Sequence, residues 1–235
     1  MKGLAQIAVI ADRKAKNGIY PRNDAVLTEA LKTENYYQRV MWQAVRDMYN
    51  GGINSFEFES VMVQLIESQL RRAWNAGMRE IGLDPSVDMT PDFEAELQSI
   101  MLNEFEYVPR LVADISEAIA LQTNIDPFKI RVEMWAKRYQ DTLNQAKIYC
   151  AKDNQKYEWI YTPDKDHCRT CLSLNGIVAY AREWEESGLK PQGHNLQCRG
   201  FLCGCDLVLT SKRRTSNALG TLLTIAELEE EGVAA

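Results

Sequence analysis

Five of the six cysteines and both histidines of this 235-residue chain fall between Tyr161 and Leu209. The stretch opens Tyr161-Thr-Pro-Asp-Lys-Asp-His167-Cys168-Arg-Thr-Cys171. After a connecting segment it closes His194-Asn-Leu-Gln-Cys198-Arg-Gly-Phe-Leu-Cys203-Gly-Cys205. A Cys-x-x-Cys knuckle points two sulfurs at one place, and the second donor cluster can supply the remaining ligands of a tetrahedral zinc ion. The preferred set is Cys168, Cys171, His194 and Cys198. Cys203 and Cys205 are spare donors, and either can replace His194 or Cys198. Six donors are too many for one ion, so at least two are bystanders unless a second ion binds. His167 adjoins Cys168 and is expected to point away from a metal held by its neighbour, as a surface residue. Cys150 closes an apolar helical stripe and reads as a plain buried cysteine.

Other chemistries fit these residues less well. A redox-active Cys-x-x-Cys sits at a helix N-terminus after a strand in an α/β pattern, and that reading leaves the second cysteine cluster without a role. A zinc deaminase needs His-x-Glu ahead of Pro-Cys-x-x-Cys, whereas His167 is followed by Cys168 and Arg169. The His-Glu-x-x-His of zinc proteases and a glycine-rich phosphate loop are both absent from the sequence. Asp164 and Asp166 flank a turn beside Pro163, where carboxylates shape the chain more often than they do acid–base work. The expectation is a structural zinc with no open position for water, in a chain that is not an enzyme.

The elements that must carry this cluster follow from periodicity and punctuation. Residues 1–22 read as an N-terminal arm. Residues 23–155 read as a helical domain. Its first helix runs from Asn23 or Asp24 to about Asn50, with Tyr37, Met41, Ala44, Val45 and Met48 on one face. A second starts at Asn54, where Asn54 and Glu57 have capping-box spacing, and ends by Gly82. A third opens with Thr90 as cap and Pro91 at its first position, and runs toward Leu121 with a kink or split near Tyr107 before Pro109. A fourth starts at Asp126-Pro127 and carries the stripe Phe128, Val132, Trp135, Tyr139, Leu143 and Ala146, a core pattern. Residues 156–211 read as the zinc-binding module, with strands at 157–162, 177–180 and 206–210 and a short helix at 181–187. Residues 212–235 read as a tail, helical from Thr215 to Glu231. The fold class is therefore mainly α, a helical bundle or stalk, followed by a small α+β zinc-binding module.

Composition sets outer limits. Hydrophobic residues make up 46% and charged residues 26%, ordinary values for a globular protein. A net charge of −6 argues against a protein whose main task is coating nucleic acid, though it leaves room for local basic patches. Arg71, Arg72 and Arg79 form one candidate patch, read as a solvated face. Lys212, Arg213 and Arg214 form another. No apolar run approaches the roughly 20 residues of a membrane-spanning helix, and the short apolar start lacks a signal-peptide cleavage site, so the thiols are expected to be intracellular and free of disulfides.

At the cysteine stretch the sequence resembles the phage Mu F-like minor head proteins, also called phage head morphogenesis proteins. The resemblance is carried by Trp159, by Asp164 and Asp166, by Cys168-Arg-Thr-Cys171 and Leu174-Asn-Gly176, and by Pro191, His194 and Cys198-Arg199. It is confined to this stretch, and the helices before it are compatible but unspecific. One departure stands out: Gly200 occupies the place where a second cysteine would follow Arg199. Cys203-Gly-Cys205 can be the displaced equivalent of the family's Cys-Arg-Cys, which leaves the third and fourth ligands open. The resemblance implies a structural virion component, present in few copies. It would act at the portal or inner capsid during head assembly, with the portal protein or major capsid protein as partner and packaged DNA as a further contact. The alternative expectation is a nucleic-acid-binding zinc module that uses Arg169, Arg199, Lys212, Arg213 and Arg214.

Overall fold

The computed structural model describes residues 29–152, 154–161, 167–193, 195–200, 203–215 and 219, with side chains from residue 35 onward. The N-terminal arm, the start of the first helix, Asp164, Asp166, His194 and the tail beyond residue 219 lie outside the described residues. Among the described residues five long helices come first: α1 (Glu29–Tyr49), α2 (Ser55–Glu80), α3 (Pro91–Phe105), α4 (Val108–Leu121) and α5 (Pro127–Tyr149). Then follow β1 (Lys156–Tyr161), α6 (Arg169–Leu174), β2 (Val178–Tyr180), α7 (Ala181–Ser187) and β3 (Cys205–Leu209). The chain is thus mainly helical, with a small antiparallel sheet near its C-terminal end.

Local chemistry sets the helix boundaries. The Asn54 side chain accepts from the Glu57 N–H and the Glu57 carboxylate accepts from the Asn54 N–H, both at 2.9 Å, a complete capping box for α2. Thr90 Oγ1 accepts from Phe93 N–H at the start of α3. Pro109 has no N–H to continue a helix arriving from α3, so the chain breaks at Glu106–Tyr107 and restarts with the proline in the first turn of α4. Gln122 ends α4 in the left-handed conformation, with φ 52°.

The chain forms two compact units. One holds the described residues up to Gln69 together with Gln98–Tyr139; the other holds Leu70–Leu97 together with those from Gln140 onward. The division expected at residues 155/156 therefore falls elsewhere, because the ends of long helices serve the core of the sheet. In the first unit, Tyr37, Met41 and Val45 of α1, Phe58, Met62 and Ile66 of α2, and Leu111 and Ile115 of α4 are buried. So are Val132, Trp135 and Tyr139 of the α5 stripe. The buried Gln69 amide donates to the carbonyls of Trp135 and Ala136 at 2.9 and 2.7 Å, so its N–H groups are satisfied within this packing.

The second unit is built around the three-stranded sheet, in the order β2-β1-β3 and antiparallel throughout. Lys156 pairs with Tyr180 on one side of β1, and Tyr161 pairs with Cys205 on the other. Alternation along β1 buries Tyr157 and Trp159 completely and leaves Ile160 exposed. The core joins these to Ile148, Leu174, Trp184, Leu189, Leu196 and Leu207, together with Cys171 and Cys205. Trp159 and Trp184 have ring centroids 5.7 Å apart, and the Trp184 indole donates to Tyr157 O. In the same unit Gly77 lets α2 approach α5 closely: a Cβ there would lie 2.5 Å from Leu143 O.

The tail helix expected from Thr215 to Glu231 lies almost wholly outside the described residues, and residues 212–215 before it pack against the sheet. Thr215 N–H donates to Val178 O and Thr215 Oγ1 accepts from Val178 N–H, while Lys212 and Arg214 bind Glu158 and Glu183. These contacts tie residues 212–215 to the sheet, so the module extends at least to Thr215.

Candidate metal centre

The cysteine cluster assembles where the paired end of β1 and β3 meets two loops. Cys205 opens β3 opposite Tyr161, and Cys168 and Cys171 follow β1. Cys168 is the N-cap of α6, and its sulfur accepts from the Cys171 N–H at 3.4 Å. The Cys-x-x-Cys expected as a knuckle therefore caps and enters a short helix. Amide-to-sulfur bonds of this kind favour thiolate and hold a ligand's direction. Leu174, the last residue of α6, is buried, Gly176 N–H donates to Trp159 O, and Asn175 accepts from Tyr161 N–H, which fixes α6 against β1.

The other three cysteines are placed by two glutamines and a glycine. Gln197 accepts from Arg169 N–H at 3.0 Å, and its own N–H donates to Thr170 Oγ1 at 3.2 Å, so the residue before Cys198 is tied to the first turn of α6. The buried Gln192 amide donates to Cys203 O at 3.1 Å and Cys205 O at 2.9 Å, and accepts from Asn144 at 3.1 Å. Arg199 and Gly200 both turn left-handed, at φ 49° and 75°. A Cβ on Gly200 would lie 2.0 Å from Gln192 O, so position 200 admits only glycine. This explains why a second cysteine cannot stand directly after Arg199 here, and why Cys203 and Cys205 come from farther along the chain.

Five sulfurs converge. Those of Cys168, Cys171 and Cys198 lie within 4.8 Å of one another, and so do those of Cys171, Cys203 and Cys205. Cys171 and Cys203 are 3.8 Å apart. Two thiolates on one tetrahedral zinc at about 2.3 Å stand about 3.8 Å apart, so the donor set and its spacing suit a bound ion. Among the described residues these five cysteines could hold a metal ion, and each of them was singled out from the sequence.

The electrostatics reflect the crowding. The thiols of Cys171, Cys198 and Cys205 hydrogen-bond to Cys203 and draw it well below the ordinary thiol range. The thiols of Cys198, Cys203 and Cys205 push Cys171 the other way. Burial raises Cys168, but the N–H and thiol of Cys171, with those of Cys198, outweigh it and leave Cys168 below the ordinary value. Thiolates this close repel, so only some ionise until a cation neutralises them. Cys150 stands apart: burial pushes it up to about 12, as expected of a packed, unreactive thiol.

The histidines divide differently from expectation. His194, one of the preferred ligands, lies outside the described residues. His167 is half-buried and does not point away: its ring packs on Tyr161 with centroids 4.6 Å apart, and Nδ1 lies 3.8 Å from Cys205 Sγ. Adjacency to Cys168 does not decide its direction, because Cys168 is extended at φ −70°, ψ 162° and the helix begins only after it. No signal in the sequence links His167 to Cys205, which are joined only by the pairing of β1 and β3. Gln192 and Gln197, which position the loops, carried no sequence signal either.

Among the described residues no helix is long and apolar enough to cross a membrane. No protein-family model, no curated protein and no solved structure gives a significant match to this chain.

Proposed function

We propose that this chain is a non-enzymatic head component of a tailed phage or prophage, a minor capsid or head morphogenesis protein. In this reading it acts at the portal or inner capsid during assembly, and zinc staples its C-terminal module. The observation that carries the reading is the convergence of five thiols in and against the core of a small three-stranded unit. They sit in the sequence context that resembles the Mu F-like minor head proteins: Trp159 behind the site, then Cys168-Arg-Thr-Cys171 and Leu174-Asn-Gly176. A thiolate-rich tetrahedral set favours zinc over the hard cations, which take oxygen. A short sheet with a small core gains most from such an ion, because metal binding becomes folding free energy. The partners in this reading are the portal protein, the major capsid protein or both. Two measurements test it. Elemental analysis of purified protein is expected to find zinc, and Cys168→Ser to lower the melting temperature; metal-free protein with unchanged melting of the variant would remove the staple. Mass spectrometry of phage particles purified from cells carrying the gene is expected to find the chain in few copies per particle, and its absence would remove the head role.

The nucleic-acid alternative draws less support. Of the five basic residues it relies on, Lys212 pairs with Glu158 at 2.7 Å and Arg214 with Glu183, so two charges are already met within the chain. Arg71 of the other basic patch is held by a two-pronged bond to Glu94. A DNA affinity that falls steeply with salt would revive this reading.

A further inference from the structure

The five thiols form two triads that share one sulfur: Cys168, Cys171 and Cys198, and Cys171, Cys203 and Cys205. A single tetrahedral ion takes four ligands, so one ion would leave at least one of these sulfurs, and the imidazole beside Cys205, without a part in the site. We propose that the cluster binds two zinc ions bridged by the Cys171 thiolate. The first sits on Cys168, Cys171 and Cys198. The second sits on Cys171, Cys203 and Cys205. His167, whose Nδ1 lies 3.8 Å from Cys205 Sγ and which does not join all three sulfurs in this structure, would complete the set by closing on the ion. This rests on the zinc reading above and extends it.

Three observations support the second ion. The first is spacing. Cys171 and Cys203, both assigned to it, are 3.8 Å apart, the edge of a tetrahedral thiolate site. A thiolate and an imidazole on one zinc stand about 3.6 Å apart by the same bond lengths, and Cys205 Sγ and His167 Nδ1 are 3.8 Å apart. The second is charge. Five thiolates around one divalent ion carry a surplus of three negative charges into a half-buried site, while two ions reduce the surplus to one. The third is positioning. Gln192 holds the carbonyls of both Cys203 and Cys205, and the Tyr161 ring packs on the His167 imidazole, so three of the four groups assigned to the second ion are supported by a neighbour that is not itself a ligand. His194 is left out of this assignment, and the first ion takes three ligands from the described residues.

The test is stoichiometry. The full chain, purified and dialysed against a weak chelator, is measured by native mass spectrometry and elemental analysis. Two zinc ions per chain are expected, falling to one in His167→Ala and in Cys205→Ser, with the far-ultraviolet circular dichroism of each variant unchanged. Cobalt(II) titration of the metal-free chain is expected to saturate at two equivalents. The thiolate-to-cobalt absorption should be retained in part in His167→Ala. One ion per wild-type chain overturns the bridged pair and leaves the staple standing; none overturns both. Two ions kept in His167→Ala would remove the imidazole from the site and with it the ligand set proposed here.

Discussion

Gly200 shows how one residue decides the course of the ligand loop. Its φ of 75° is a conformation that costs a residue with a Cβ about 1–2 kcal/mol. That Cβ would also meet Gln192 O at 2.0 Å, a backbone atom that cannot swing aside. Gly176 has a similar φ of 80° with nothing within 4 Å, so it carries the conformational cost alone. Gly176→Ala is therefore expected to destabilise the metal-loaded protein by about 1–2 kcal/mol. Gly200→Ala should cost about 3 kcal/mol or more, at the upper end of ordinary single substitutions. Denaturant midpoints of the two variants check this, and equal losses would mean that the close approach to Gln192 is not maintained. The candidate site was legible at this scale through residue type and spacing: every clustered cysteine was visible in the sequence. Its ligand geometry was not, because the contact of His167 with Cys205 and the bonds of Gln192 to Cys203 and Cys205 depend on strand pairing and loop closure, which no local pattern encodes.

At the scale of elements, the strongest signals were those whose physics is local. The Asn54–Glu57 box, Thr90 with Pro91, the break before Pro109 and the apolar stripe of α5 each depend on neighbours within a few residues, and each stands where its pattern places it. Helix α6 was not legible, since six residues are too few to show a helical period, and its support comes from Gln197 and β1. The attachment of Lys212–Thr215 to the sheet carried no local signal either, because it rests on the tertiary partners Glu158, Glu183 and Val178. One such partner gives a pH-dependent prediction. The Arg214 guanidinium holds the Glu183 carboxyl below its ordinary value near 4.5, helped by the Tyr180 N–H, which donates to Glu183 at the start of α7. The carboxyl is depressed in the folded state. Its stabilising contribution is therefore fully present above the unfolded value and is lost as pH falls through the lower folded value. Titration of the Glu183 carboxyl by nuclear magnetic resonance is expected to give a midpoint below 4.5, moving back toward it in Arg214→Met. A midpoint that stays put in the variant would transfer the effect to the Tyr180 N–H alone.

Across the whole molecule, the two compact units differ in what stabilises them. The unit containing α1 and α4 rests on large apolar side chains, among them Met41, Phe58, Met62, Leu111, Ile115 and Trp135, with no thiol among its core residues as described. The unit containing the sheet has Cys171 and Cys205 inside its core, and Cys168, Cys198 and Cys203 packed against it. Without an ion those sulfurs crowd one another, and the loops that carry them lose the restraint that metal bonds supply. Stability in such a chain is local, and hydrogen exchange can read it amide by amide. Removing zinc with a strong chelator is expected to lower the protection of amides in β1 and β3 by at least about a hundredfold, which corresponds to about 2.7 kcal/mol. That is a modest share of the binding free energy of a structural zinc site. The amides of Leu111 and Ile115 in α4 are expected to keep their protection. Equal losses in α4 and the sheet would mean that both units unfold as one, and unchanged exchange in β1 and β3 would mean that the ion adds nothing to the sheet that carries it.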